Sequence, residues 1–173
     1  DEKISSYKQA ISIYPYDTRA YPKILEAYND EGTFDKPESG EFLALYNRYQ
    51  SGFDAKSAEF AKLNYQIGTM YFNYYTEDGK ESFSTRVQKA QPFFAANYEN
   101  QELSGNFAEE KLSDCYYQIC TFYKKYILNK ATVEEASKAN YEELFSTIEG
   151  ALEDVAEHGS YDKLSLYNGV FML

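Results

Sequence analysis

Apolar residues recur every three or four positions along most of this 173-residue chain. The clearest run holds Tyr141, Leu144, Ile148, Leu152 and Val155, which have the spacing of one face of an α-helix. No segment shows the alternation of apolar and polar residues, bounded by hairpin turns, that predicts a β-strand. The pattern therefore predicts an all-α fold of seven or eight helices joined by short polar loops.

Capping residues, prolines and glycines divide this pattern into separate helices. Thr132 and Glu135 have the spacing of a capping box, so a long helix should begin there and end before Gly159. Pro92 should kink or restart a helix within residues 82–98, because proline has no N–H to donate. The other signals predict five more helices. The first ends before Pro15, and the second runs from Asp17 or Thr18 to about Asn29. The remaining three run from Pro37 to about Tyr49, from Asp54 or Ser57 to about Tyr75, and from about residue 107 to about residue 128.

One short segment of the chain is repeated 52 residues later. Residues 65–71 and 117–123 are identical at five of seven positions. Each copy falls in the middle of a predicted long helix, and repetition of this kind predicts stacked helical hairpins that bury their apolar faces against one another. The small residue in each copy, Gly68 or Cys120, should let the partner helix approach closely.

The repeated residues resemble the first helix of a tetratricopeptide repeat, in which an aromatic, a large apolar, a small and a tyrosine residue follow at fixed spacing. Ala90 and Phe94 resemble part of the second helix of that repeat. The departures are Asn64 at an aromatic position and Leu25 at a small one. The three first-helix matches are Tyr21, Ile24, Leu25 and Tyr28; Asn64, Ile67, Gly68 and Tyr71; and Tyr116, Ile119, Cys120 and Tyr123.

This resemblance implies a tetratricopeptide-like stack of antiparallel helical hairpins. Residues 1–173 would form a single helical-repeat domain with units at about 1–52, 53–105 and 106–173, and a helix after Ser160 would cap the stack. The intervals between matching isoleucines are 43 and 52 residues, against about 34 in the family, so each unit carries extra length.

Composition excludes several classes of function. The net charge of −11 and the pI near 4.6 argue against binding to nucleic acid or to an anionic membrane surface. No apolar run reaches the roughly 18 residues that would predict membrane insertion. Aromatic residues make up 18% of the chain, which a disordered acidic chain would not have. Most of them should pack between the repeated helices.

The chain has few residues that could perform chemistry. Its single histidine, His158, is predicted to be a cap or a surface residue, with a catalytic base as the alternative. Cys115 and Cys120 point to different sides of one helix and should be buried free thiols. No phosphate-binding glycine motif occurs. Eight acidic residues between 134 and 157 should form a solvated helix face, with a basic partner or a weak cation site as the alternative. We therefore expect no catalysis, no cofactor and no metal.

The first helices of each unit would line a concave groove, if the resemblance extends to function. The exposed positions in this groove would suit peptide capture, since lysine can meet a carboxylate and tyrosine offers contact area at low entropy cost. The alternative is that these positions pack against an extra helix. The groove positions on the helices at about 57–75 and 107–128 are Tyr65, Thr69, Phe72, Asn73, Tyr117, Thr121, Lys124 and Lys125.

A weaker resemblance concerns the parent chain. The run from Tyr7 to Pro15, followed by Arg19-Ala20-Tyr21, looks like the helical regions that follow the kinase domain in some Firmicute Ser/Thr protein kinases. It implies a non-catalytic, protein- or peptide-binding regulatory or sensor module of a larger chain, on either side of a bacterial membrane. The alternatives are a sensor for a small ligand such as a sugar or an amine, and a structural or oligomerisation spacer. The oligomeric state stays open, and the start at Asp1 suggests an excised piece or a processed form.

Overall fold

The fold is all-α, as the periodicity predicts. The computed structural model describes residues 2–30, 37–73, 82–99, 108–129, 134–135, 138 and 140–155, and these contain no strand. A 3-10 turn at Gln50–Gly52 follows the third helix, and a π-helical turn at Lys124–Leu128 extends the sixth. The seven α-helices are α1 (Glu2–Ile13), α2 (Ala20–Asp30), α3 (Pro37–Tyr49), α4 (Ala58–Asn73), α5 (Phe83–Tyr98), α6 (Ala108–Tyr123) and α7 (Tyr141–Val155).

The ends of the helices confirm most of the predicted boundaries and correct one of them. Ser57, rather than Asp54, caps α4, because its hydroxyl accepts a hydrogen bond from the N–H of Phe60 at 3.2 Å. The prediction of one continuous helix from Thr132 to Gly159 is wrong: residues 134–135 are helical, but α7 begins separately at Tyr141. Asn140 caps α7 there: its side-chain oxygen accepts a hydrogen bond from the N–H of Glu143 at 3.1 Å, and its amide nitrogen donates to the Glu143 carboxylate at 2.9 Å. Thr132, His158 and the segment after Ser160 lie outside the described residues.

Helix α5 continues through Pro92 as one element and does not restart there. It begins at Ser82, whose hydroxyl accepts from the N–H of Thr85 at 3.2 Å. Pro92 is exposed. The carbonyl of Gln88, four residues earlier, loses its helical donor on an exposed stretch of the helix, where water can replace that bond.

Helices that follow one another along the chain pack together: α1 on α2, α2 on α3, α4 on α5, α5 on α6, and α6 on α7. Alternate helices also pack, with α2 against α4 and α4 against α6. Helices α5 and α6 run antiparallel, since Tyr98 at the end of α5 stacks on Tyr117 in the middle of α6, while the hydroxyl of Ser84 at the start of α5 bonds that of Tyr123 at the end of α6, at 2.9 Å. None of the described helices is long and apolar enough to cross a membrane.

The core divides into two apolar clusters. One joins α1, α2 and α3 to the first half of α4, and the other joins the end of α4 to α5, α6 and α7. The matching isoleucines Ile24, Ile67 and Ile119 are all fully buried. Aromatic rings fill much of both clusters, as predicted, and fully buried examples are Tyr21, Tyr28, Phe42, Phe94 and Tyr116.

Gly68 lies at a close contact between α4 and α5. A Cβ atom at this position would lie 2.6 Å from the Phe94 ring. Phe94 itself is fully buried and stacks on Tyr116 with 4.8 Å between ring centroids. The absence of a side chain at Gly68 therefore creates the space that the Phe94 ring fills, which confirms the predicted role of this small residue.

Candidate functional site

The structure separates the eight predicted groove residues into three environments, and one of them is in the core. Phe72 is only 2% exposed and packs edge-on against Tyr116 with ring centroids 4.8 Å apart. The prediction that Phe72 is exposed in the groove is therefore wrong. The phenyl ring has no polar group to present to water, and it lies between the rings of Phe83 and Phe94, at 5.4 and 6.4 Å.

The other three predicted positions on α4 are half-buried. The ring of Tyr65 lies 6.2 Å from that of Tyr116, at the contact between α4 and α6. The hydroxyl of Thr69 donates to backbone carbonyls of its own helix, those of Tyr65 at 2.9 Å and Gln66 at 3.0 Å. Asn73 is the last residue of α4. These positions keep partial access to solvent, but Tyr65 also contributes to helix packing.

Three predicted residues, Tyr117, Thr121 and Lys124, lie along α6 and the turn that extends it, against α5. Together with Gln91 and Tyr98 of α5, they form a strip that we call the α5–α6 seam. The rings of Tyr98 and Tyr117 stack with centroids 4.3 Å apart, and Tyr98 remains 42% exposed. Lys124 donates to the amide oxygen of Gln91, and the amide nitrogen of Gln91 donates to the Thr121 hydroxyl at 3.3 Å. The seam thus presents an aromatic pair followed by a short ladder of hydrogen bonds.

A concave site lies on the other side of Thr121, between the end of α6 and the first two turns of α7. We call it the α6–α7 cleft, and its volume is about 340 Å³. The predicted residues Thr121 and Lys125 are on its wall. Its full lining is Gln118, Thr121, Phe122, Lys125, Tyr126, Asn140, Glu143, Leu144 and Thr147.

The sequence interpretation missed most of this cleft. The π-helical turn that places Lys125 and Tyr126 on its wall has no sequence signal as clear as a cap or a breaker. The α7 wall could have been found, because Asn140 and Glu143 have capping-box spacing. Thr132 and Glu135 have the same capping-box spacing, so the sequence offers two candidate starts for this helix.

The two cysteines do not form a reactive site. Both are buried free thiols, as predicted. Burial, with a smaller contribution from the neighbouring charge of Asp114, raises the pKa of Cys115 to about 12. Burial also raises the pKa of Cys120. A thiol that stays protonated at neutral pH is a poor nucleophile and a poor metal ligand.

Glu142, Glu143 and Glu149 of α7 are exposed, as expected for a solvated face. Glu134 pairs with Lys138 at 2.7 Å, on the surface just before α7. Among the described residues, no group of three or more His, Cys, Asp or Glu side chains could hold a metal ion.

No family model matches the chain, and searches of curated proteins and of solved structures find no significant match. A function for this chain is therefore inferred from the residues of the seam and of the cleft.

Proposed function

We propose that this domain is a non-catalytic module that recognises a protein or peptide partner through the α5–α6 seam. The observation that supports this most directly is the partly exposed Tyr98–Tyr117 stack beside the polar ladder that ends at Lys124. Tyrosine is enriched in binding hot spots, and lysine, glutamine and threonine can pair with the peptide backbone or with a carboxylate.

The rigidity of the underlying helices favours such a role. Tyr116, next to Tyr117, is fully buried, and so are Ile119 and Cys120 in the following turn. Surface side chains on a helix that is anchored in this way are held in place before a partner arrives, which reduces the ordering cost of binding. The packing of alternate helices, α2 on α4 and α4 on α6, is compatible with a tetratricopeptide-like stack, which belongs to the same proposal.

Binding by the seam can be tested with a library of random peptides displayed on phage and panned against the whole chain. An enriched peptide is synthesised with a fluorescent label, and its affinity is measured by fluorescence polarisation. The Tyr117→Ala plus Lys124→Ala variant should bind it at least tenfold more weakly, while circular dichroism shows an unchanged helix content. Lys23→Ala is the matched control, since Lys23 is an exposed lysine on α2 that pairs with Glu26 of its own helix.

Two results would contradict the proposal. One is that panning enriches no peptide; the other is that the double variant binds the enriched peptide as tightly as the Lys23→Ala control does. Loss of Tyr117 removes one aromatic stack, worth about 0.5–1.5 kcal/mol, so a modest fall in thermal stability is expected and is not evidence against the seam. Lys124→Gln alone leaves the stack in place and separates the two contributions.

The proposal includes a regulatory or sensor role within a larger chain, with a bacterial Ser/Thr protein kinase as the parent that the sequence resemblance suggests. The coding sequence on either side of residues 1 and 173 tests this context. A kinase domain upstream supports it, and an unrelated neighbouring domain contradicts it without affecting the peptide-binding proposal.

A further inference from the structure

We propose that the α6–α7 cleft is a second site, which binds a small zwitterion with an apolar body, the chemistry of a free aromatic or large aliphatic α-amino acid. This proposal does not depend on peptide binding by the seam, although Thr121 belongs to both sites. Its volume of about 340 Å³ is at the lower end of the range for small-molecule sites, which suits a ligand of this size.

Three side chains give the otherwise polar cleft a smaller apolar part. Phe122 and Tyr126 come from α6 and its π-helical turn, with ring centroids 4.6 Å apart, and Leu144 of α7 is buried beside them. The centroid of the Phe122 ring also lies 4.9 Å from that of the Tyr141 ring. Aromatic and aliphatic surface of this kind favours an apolar ligand side chain.

The wall of the cleft carries two opposite charges. Lys125 is exposed, and its ammonium group lies 4.9 Å from the centroid of the Tyr126 ring. Glu143 accepts a hydrogen bond from Asn140 through Oε2. Within the part of the chain that the structure describes, neither Lys125 nor Glu143 has an ion-pair partner. A ligand carboxylate near Lys125 and a ligand ammonium near Glu143 would balance both charges, whereas a sugar would balance neither.

A chain of hydrogen bonds also ends at the cleft. The Lys124 ammonium donates to Gln91, and Gln91 donates to Thr121. Thr121 thus already accepts a bond, and its own O–H remains to donate into the cleft. The Lys124 ammonium polarises this chain of hydrogen bonds, which makes the Thr121 hydroxyl a stronger donor to an anion. Thr121 should therefore bind the ligand carboxylate together with Lys125.

Isothermal titration calorimetry on the whole chain tests the proposal with L-phenylalanine and L-leucine. Each half of the charge pattern is tested separately, with phenethylamine, which lacks the carboxylate, and 3-phenylpropionate, which lacks the ammonium. We expect saturable binding of the amino acids, at least tenfold weaker binding of either half-molecule, and no binding of glucose. Lys125→Gln and Glu143→Gln should each weaken binding of L-phenylalanine at least tenfold.

The variants are chosen so that the fold is preserved. Asn140 caps α7 through the backbone N–H of residue 143, which glutamine keeps, and Lys125 is exposed on the surface. Lys23→Gln, on α2, is the control that should bind normally. No heat of binding for either amino acid up to roughly 10 mM would overturn the proposal. So would equal binding of phenethylamine, full binding by both charge variants, or binding of glucose alone. The seam variant Tyr117→Ala should keep its affinity for L-phenylalanine, so failure of one site is distinguishable from failure of the other.

Discussion

Replacement of Gly68 by alanine should lower the stability of the domain, although alanine is the better helix former. The new Cβ would lie 2.6, 2.8 and 2.9 Å from three carbon atoms of the Phe94 ring. Carbon atoms in contact normally lie about 3.5–4.0 Å apart, so the ring would have to move by about 1 Å. Phe94 is fully buried and stacked on Tyr116, so movement of its ring would disturb this packing.

The expected magnitude is the difference between two effects. Overpacking of a core costs about 1–3 kcal/mol. The replacement of a mid-helix glycine by alanine returns up to about 1 kcal/mol of helix propensity. Gly68→Ala should therefore lower the free energy of unfolding by about 1 kcal/mol, which in a chain of this size corresponds to a fall in Tm of about 2–4 °C.

Gly150→Ala is the matched control. Gly150 is also inside a helix, α7, but no atom lies within 4 Å of the position that its Cβ would take. This variant should gain up to about 1 kcal/mol from helix propensity alone. Urea unfolding followed by far-UV circular dichroism measures both variants. If Gly68→Ala is stabilised as much as Gly150→Ala, the argument that Gly68 makes room for Phe94 is wrong.

Three further changes have directions that the structure determines. Asn97→Ala should lower the free energy of unfolding by about 2–4 kcal/mol, because it leaves buried polar groups without hydrogen-bond partners. Urea unfolding measures this, and an equal loss in the variant Asn47→Ala, at an exposed position, would contradict it. Pro92→Ala should raise Tm by restoring a helical N–H, at about 1 kcal/mol or more, and an unchanged Tm would refute it. Cys115 should react with a thiol reagent only on unfolding, and rapid labelling of the native chain would oppose this. Because its folded pKa of about 12 exceeds the unfolded value of 9.0, its contribution to stability is complete below about pH 9 and is lost as the pH rises toward 12.

The class of fold was predictable because helical periodicity is a local property of the sequence. The cap of α4 at Ser57, one of the two predicted candidates, and the bounds of α3 follow from residues close together in the chain. The repeat also predicted which positions are buried, since Ile24, Ile67 and Ile119 share one environment.

The site was less predictable because it depends on how helices meet. Helical spacing placed Phe72 and Thr69 on one exposed face, but the Phe72 ring turns into the aromatic cluster formed by α5 and α6. Likewise, Tyr117 and Lys124 were assigned to a groove, and their contacts are with Tyr98 and Gln91 of α5. A contact between helices that lie far apart in the sequence leaves no mark on the periodicity of either one.

Asn64, which departs from the aromatic pattern of the repeat, is explained by a buried chain of hydrogen bonds. Tyr46 of α3 donates to Asn64 at 2.7 Å, Asn64 donates to Asn97 of α5 at 3.2 Å, and Asn97 donates to Ser113 of α6 at 2.8 Å. All four side chains are buried.

This chain of bonds links four helices across the boundary between the two apolar clusters. Apolar side chains tolerate some sliding and repacking, whereas each buried polar group left without a partner costs about 1–3 kcal/mol. A shift of α5 along α4 by one turn would break the bonds of Asn97 to both Asn64 and the Ala61 carbonyl. The apolar clusters therefore supply most of the stability, and the buried polar residues determine how the α4–α5 hairpin is aligned with α3 and α6. An aromatic residue at position 64 would fit the repeat better but would lose the amide that joins α3 to α5.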